Sequence, residues 1–173
     1  MNAAWSETVR LSEVRGTLRR RLSADAEARG RIAKLLKLDE LPELEGQLEV
    51  APWLDGAKIK GSWRARVVQT CGLTLEPFET PLQGEFEIKA VPADSPAAPA
   101  PAAADIELDL ESEDPPDVLE SEDIDLAGYL VEHLALEIDP YPRKPDAEWE
   151  PRPPEEEVSP FAVLQQLKVG KEE

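Results

Sequence analysis

Two side chains suited to nucleophilic chemistry, Cys71 and His133, each occur once in this chain. A thiol and an imidazole can form a catalytic pair when a third group orients the imidazole. His133 falls in the middle of a helical pattern, beside its apolar face, and no nearby group is placed to orient it. The sequence also has neither a glycine-rich phosphate loop nor a nucleophile elbow. We therefore interpret His133 as a structural or surface histidine and predict no enzymatic activity.

Metal and cofactor chemistry is not predicted either. A structural zinc site takes four Cys or His ligands, and this chain offers only Cys71 and His133. Carboxylates are abundant, but none is isolated in an apolar stretch that would raise its pKa for acid–base work. The single cysteine excludes an intramolecular disulfide and favours a reducing compartment.

A row of cations is the first candidate binding surface. Lys58, Lys60, Arg64 and Arg66 alternate with apolar residues, so they share the exposed face of a predicted strand. Such a row spans roughly 25–30 Å and could track an RNA backbone. Alternatively, Glu85 and Glu87 on a neighbouring strand pair with these cations. Both interpretations stay open at this point.

The acidic residues form the second candidate. The net charge is −18, and it is uneven: residues 1–66 carry 13 Lys/Arg against 10 Asp/Glu, whereas residues 67–173 carry 6 against 27. This charge repels nucleic acid at long range, so we expect no DNA partner and only local RNA contact. The acidic run from Asp105 to Asp125, with Asp105, Glu107 and Asp109 as candidate contacts, is either a solvated loop or a surface for a basic protein. Solubility alone would also account for the charge.

The first half of the chain predicts one helix among strands. Residues 1–22 read as a strand and loop, and Ser23 can cap a helix over residues 24–37. Its apolar face would contain Ala28, Ile32, Leu35 and Leu36. Alternation then predicts strands over residues 46–54, 57–68 and 81–91, with Asp55-Gly56 suited to the tight turn between the first two.

The second half predicts less regular structure. Residues 92–104 read as a Pro/Ala-rich insertion, residues 106–110 as a further strand, and residues 124–138 as a helix that ends at Asp139-Pro140-Tyr141-Pro142. Beyond it, a proline-rich acidic tail ends in a short helix from Ser159 to Lys168. The apolar stripe of this helix contains the candidate partner contacts Phe161 and Leu164, and it either packs on its own domain or docks on a partner.

These elements predict an α+β fold. We expect an antiparallel sheet of four to six strands or a partial β-barrel, with two main helices and a short C-terminal helix. One domain would cover residues 1–142, and residues 143–173 would form the tail. The sequence has neither a signal-peptide pattern nor an apolar run long enough to span a membrane, so we expect a cytoplasmic protein without membrane contact.

Three stretches together resemble a known family. They are residues 68–78 around Cys71, residues 124–144 from Ile124 to Lys144, and residues 160–168. Their order and spacing are similar to those of the YceD-like large ribosomal RNA subunit accumulation proteins of bacteria. Members often carry two cysteines two residues apart in the first stretch, where this chain has Val68 and Cys71. A metal is therefore not expected, and both residues should pack near the strand end.

The resemblance implies a role in the synthesis, processing or stability of large-subunit ribosomal RNA. In bacteria, such genes tend to neighbour one for a large-subunit ribosomal protein. The expected partner is pre-ribosomal large-subunit RNA or a basic large-subunit ribosomal protein. Within the second stretch, Tyr141, Arg143 and Lys144 are further candidate partner contacts.

Overall fold

The computed structural model describes residues 3–99 and 114–148. Within these ranges the chain forms seven strands, two α-helices and one short 3-10 turn at Leu11–Glu13. The bounds are β1 Thr8–Arg10, β2 Leu18–Ser23, α1 Ala26–Leu36, β3 Glu40–Trp53, β4 Gly56–Thr70, β5 Pro77–Pro92, β6 Asp117–Leu119, β7 Asp123–Asp125 and α2 Leu126–Glu137. The predicted strand at 106–110 and the predicted helix at 159–168 lie outside the described residues.

The main sheet has five strands in the order β2-β3-β4-β5-β6. The first four form an antiparallel meander, and β6 joins β5 in parallel over Ala90–Pro92. A separate two-stranded sheet pairs β1 with β7. The α+β class and the meander are thus confirmed, whereas the parallel β6 was not anticipated. In the described part of the chain the main sheet is open, because β2 and β6 form its two edges.

The predicted alternation along β4 is confirmed. Ile59, Trp63, Ala65 and Val67 are buried, and most of the residues between them are exposed. Leu126, Leu130 and Leu134 of α2 are buried in the same core, as the helical spacing predicted. The sheet therefore has one face in the core and one face toward solvent.

Glycines and aromatic rings occupy reciprocal positions where β4 pairs with β5. Gly61 lies opposite Phe86, and two rows away Trp63 lies opposite Gly84. A Cβ atom at Gly61 would overlap the Phe86 ring, and one at Gly84 would lie 2.9 Å from Trp63 Cζ2. His133 of α2 stacks on the Phe86 ring with 4.2 Å between centroids. Each ring thus fills the space that its opposing glycine leaves free.

Helix α1 differs from its prediction in two places. Asp25, and not Ser23, is the N-cap: its carboxylate accepts a hydrogen bond of 2.7 Å from the Ala28 amide, while Ser23 ends β2. Leu35 was expected on the apolar face but is 60% exposed. Ala33 is buried instead, so the buried face of α1 is rotated about the helix axis from the predicted one and carries a smaller side chain.

The turn between β3 and β4 is also shifted. Its two residues are Leu54 and Asp55, and Leu54 adopts the left-handed φ of 52° that the sequence had suggested for Asp55-Gly56. Gly56 already belongs to β4, where a Cβ atom would overlap the carbonyl oxygen of Ala90. Close packing, rather than turn geometry, therefore requires glycine at this position.

Helix α2 begins at Leu126 rather than at residue 124, because Ile124 and Asp125 belong to β7. The Asp125 carboxylate accepts from the amides of Gly128 and Glu7, each at 3.1 Å. The Leu126 amide in turn donates to the Glu7 carbonyl at 2.9 Å. The N-terminal strand is thereby fastened to the start of α2.

Candidate binding surface

On the solvent side of the main sheet, each strand carries mostly charges of one sign. We call the outward side chains of β2 to β5 the charged face. Most of its cations lie on β2 and β4, with Lys89 on β5, and its carboxylates lie on β3 and β5. The members are Arg19, Arg21, Glu43, Glu45, Gln47, Glu49, Lys58, Lys60, Ser62, Arg64, Arg66, Glu79, Gln83, Glu85, Glu87 and Lys89. A cationic strand is thus flanked on both sides by acidic strands.

The two lysines of the predicted RNA-binding row share one carboxylate. Lys58 Nζ lies 2.5 Å and Lys60 Nζ lies 2.8 Å from the oxygens of Glu87. Hydrogen bonds from Lys58 and then Lys60 lower the pKa of Glu87 to about 2. The hydrogen bond to Glu87 is also the largest cause that raises the pKa of Lys60, and Glu49 contributes to the same shift.

The two arginines of the row are paired as well. Arg64 Nε lies 3.2 Å from Glu43, and its Nη2 lies 2.9 Å from Glu45. Arg66 Nε lies 2.9 Å from Glu43, and its Nη1 lies 3.5 Å from Glu79. The four predicted RNA-binding residues therefore share one exposed face, and every one of them has a glutamate partner there. The glutamates of β3 took no part in the sequence prediction, although they alternate on that strand as the cations do on β4.

Charges of opposite sign also alternate across the strands. The register places Arg19, Glu49, Lys60 and Glu87 side by side on β2, β3, β4 and β5. Arg19 Nε is 3.1 Å from Glu49, and Lys60 pairs with Glu87. We call this line of residues the alternating row. It runs across the sheet and ends at Glu87 on β5.

An open trough of about 880 Å³ crosses the same four strands. Three consecutive residues of each strand line it, from Arg19–Arg21, Gln47–Glu49, Lys60–Ser62 and Glu85–Glu87. Leu48 and Phe86, each the middle residue of its three, have side chains buried on the core side of the sheet. The trough therefore lies on the charged face, above their backbone. Its walls carry both polar and apolar surface and are open to solvent, which suits the binding of an extended chain better than the enclosure of a small molecule.

A second arrangement joins two of the stretches that carry the family resemblance. Cys71 is fully buried, and its Sγ accepts from the amides of Lys144 at 3.4 Å and Thr74 at 3.5 Å. The Gly72 amide donates to the Pro142 carbonyl at 2.9 Å, and Lys144 Nζ pairs with Glu76 at 3.1 Å. We call residues 71–76 together with residues 142–144 the thiol turn.

The thiol turn changes the acidity of its cysteine. The donated hydrogen bonds, with that of the Lys144 amide as the largest cause, lower the pKa of the Cys71 thiol to about 6. The sequence did not predict the contact between Cys71 and Lys144, because about 70 residues separate them. The only sequence feature that points to it is that both residues lie in stretches that resemble the family.

Among the described residues, Cys71 and His133 have different partners. Cys71 has Thr74 and Lys144 as its hydrogen-bond donors, whereas His133 stacks on Phe86. Across residues 3–99 and 114–148, no group of three or more Cys, His, Asp or Glu side chains could hold a metal ion. In the same ranges, no helix is both long and apolar enough to cross a membrane.

Three of the remaining predicted partner contacts lie in one described segment. Tyr141 is 81% exposed, and Lys144 belongs to the thiol turn, with exposed Arg143 between them in the same segment. The other predicted contacts fall outside the described residues; they are Asp105, Glu107, Asp109, Phe161 and Leu164. The structure therefore brings the four cations of β4 together on one face, whereas the role of the other predicted contacts stays a prediction.

Comparison with known proteins identifies the family. The family model described as "Large ribosomal RNA subunit accumulation protein YceD" matches residues 59–168, well over half of the chain. No curated protein and no solved structure matches the chain. The matched range runs from β4 through the thiol turn and contains all three stretches that carried the resemblance. The chain therefore belongs to the YceD family of large ribosomal RNA subunit accumulation proteins.

Proposed function

We propose that this chain is a non-enzymatic accessory factor that supports the accumulation of large-subunit ribosomal RNA by binding a component of the pre-ribosomal particle. The family match over residues 59–168 carries the proposal. The open trough on the charged face supports binding rather than catalysis, since the described residues that line it enclose no reacting groups.

Direct contact with RNA through Lys58, Lys60, Arg64 and Arg66 is one form of this function. An RNA phosphate would have to replace the glutamate at each cation. Exposed ion pairs contribute only about 0–1 kcal/mol, so the exchange itself costs little. The displaced carboxylates would nevertheless stay beside the phosphates and repel them. The local charge therefore gives RNA a weak attraction to this face.

Contact with a basic large-subunit ribosomal protein is the form that the charges support better. The glutamates of β3 and β5 flank the cations, and the whole chain carries a net charge of −18. A cationic segment gains from both the local carboxylates and the long-range field. We therefore propose that the direct partner is a basic protein of the large subunit, and that rRNA accumulates because this partner is delivered or protected.

Binding assays with purified components separate the two forms. We expect a basic large-subunit ribosomal protein to bind the wild-type chain, and Glu79→Gln, Glu85→Gln and Glu87→Gln together to weaken it. The matched control is Glu13→Gln, Glu120→Gln and Glu137→Gln, which removes the same charge from exposed positions off the charged face. If RNA is the direct partner, precursor rRNA will bind instead, and alanine at Lys58, Lys60, Arg64 and Arg66 will lower its affinity and its salt dependence.

A cellular measurement tests the function itself. Removal of the chain should lower the ratio of large-subunit to small-subunit rRNA, and the wild-type chain should restore it. An unchanged ratio after complete removal would refute the proposed function for either partner.

A further inference from the structure

Strand β2 contains the only run of three consecutive cations in the sequence, Arg19-Arg20-Arg21. Arg15 lies in the bend that leads into this strand, and residues 14–24 contain no acidic side chain. All four arginines are exposed. We call Arg15, Arg19, Arg20 and Arg21 the arginine cluster. It lies before the range that the family model matches, so the family match assigns it no role.

Two members of the arginine cluster have no carboxylate partner. In the described part of the chain, neither Arg15 nor Arg20 forms an ion pair. Arg20 Nη1 donates to the Arg19 carbonyl at 3.3 Å, which keeps its guanidinium beside the backbone of the strand. The four cations of β4, in contrast, all have glutamate partners. A phosphate group can therefore approach Arg15 and Arg20 without displacing a carboxylate.

The other two members are only partly neutralised. Arg19 Nε is 3.1 Å from Glu49, and Arg21 Nη2 is 3.6 Å from Glu45. Glu45 also pairs with Arg64 at 2.9 Å, so two guanidinium groups share one carboxylate. Strand β3 thus sets two carboxylates against the four guanidinium groups of the cluster, and the charge at this end of the sheet stays positive.

The arginines of β2 also line one end of the trough, whereas Glu85 and Glu87 line the other end. Three strand spacings separate β2 from β5, which is about 14 Å. This separation exceeds the Debye length of about 8 Å at physiological salt. Dissolved ions therefore screen the acidic end of the trough from the arginine cluster. The trough has a cationic end along which a polyanion can lie.

The chemistry of the cluster suits a phosphate chain. Guanidinium groups stay charged and bind phosphate oxygens with two parallel hydrogen bonds. Arg19 and Arg21 share one side of the strand and lie two residues apart, about 6–7 Å. This spacing is comparable with the distance between successive phosphates of a nucleic-acid strand. A phosphate backbone can therefore meet several of the arginines at once.

We propose that the arginine cluster binds the phosphate backbone of single-stranded RNA, which lies along β2 at the cationic end of the trough. This surface goes beyond the proposed contact with a basic protein, because it gives the opposite end of the same sheet a second partner. The choice of RNA among polyanions rests on the proposed function, whereas the site rests on the arginines themselves.

Titration of the full chain with a labelled oligouridylate tests the inference, because its uniform sequence leaves the phosphate backbone as the recognised feature. We expect Arg15→Gln with Arg20→Gln to lower the affinity about tenfold and to reduce the slope of log K against log salt by about 1–2. Both side chains are exposed and lack ion pairs, so the variant should fold normally. The matched control is Lys34→Gln with Lys37→Gln, which removes two exposed cations from the C-terminal end of α1. It should leave affinity and slope nearly unchanged.

Two further measurements avoid the loss of charge. Arg20→Lys keeps the charge but not the planar fork, so the salt slope should persist while the affinity falls, by about fivefold at most. In the wild-type chain, the side-chain Nε–H resonances of the arginine cluster should shift when oligouridylate is added. Unshifted resonances under conditions of saturated binding would place the RNA elsewhere.

Several other results would overturn the inference. They are absence of oligouridylate binding at low salt, an equal loss in the Lys34 and Lys37 control, and binding of polyglutamate as tight as that of oligouridylate. Loss of binding only after alanine replaces the four cations of β4 would move the RNA to that strand. Failure of the proposed function is seen instead as an unchanged rRNA ratio in cells, which does not alter the affinity of the purified chain for oligouridylate.

Discussion

At the scale of single residues, the thiol turn gives Cys71 an unusual environment. Its side chain is buried, but two backbone amides point at Sγ and favour the thiolate. Burial also keeps solvent reagents away from the sulfur. Acidity and reactivity are therefore separated at this site, since a thiolate must be accessible to react.

The pKa of Cys71 predicts how stability depends on pH. The folded-state pKa of about 6 lies below the ordinary 9.0, so the thiolate's contribution to stability is complete above about pH 9 and is lost as the pH falls through 6. The ultraviolet absorbance of the thiolate should titrate near pH 6 in the folded chain. The Cys71→Ser variant supplies the baseline and should lack the rise in stability between these values. A midpoint near 9 would contradict the hydrogen-bonded geometry.

At the scale of elements, the pairing of β4 with β5 depends on its glycines. Gly61 cannot gain a side chain unless the Phe86 ring moves, and that ring is also stacked on His133. The fit of these three residues fixes the position of α2 against the sheet.

We expect Gly61→Ala to destabilise the fold by about 1–3 kcal/mol, because the added methyl group overpacks this contact. Gly30→Ala is the matched control: nothing lies within 4 Å of its Cβ position, and alanine favours a helix interior. The control should raise stability by about 0.5–1 kcal/mol. Chemical denaturation of both variants measures the difference, and equal stabilities would show that the ring yields freely.

The elements also show what the sequence could predict. Alternation identified β4 and its buried face, and the leucine spacing identified α2, because both periods repeat over many residues. The N-cap at Asp25 was missed because Ser23 and Asp25 could both cap this helix. The turn at Leu54 was missed because the close packing that places Gly56 in β4 is not visible in the sequence. Half of the charged face was also predictable. The glutamates of β3 were not assigned, because register between strands is set by tertiary contacts.

At the scale of the whole molecule, the ion pairs neutralise charge only locally, and a large net negative charge remains. The charged face pairs its cations and carboxylates, yet the chain as a whole carries −18. Self-repulsion of that size opposes the compact state and is screened by salt.

We expect the melting temperature to rise by a few degrees, on the order of 2–5 °C, from low to moderate salt. The triple variant Glu13→Gln, Glu120→Gln and Glu137→Gln has less negative charge and should show a smaller rise. A melting temperature that falls with added salt would mean that the ion pairs of the charged face outweigh the overall repulsion.

The match to the family begins at residue 59, three residues into β4, whereas β4 is hydrogen-bonded to β3 along most of its length. Strands β2 and β3 and helix α1, which lie on that side of β4, come from residues before the match, and so does the N-terminal strand β1 that is fastened to α2. The stretch that sequence comparison recognises is thus one part of a shared hydrophobic core and could not bury that core alone. A boundary drawn by sequence similarity at residue 59 is therefore not a boundary of the folding unit.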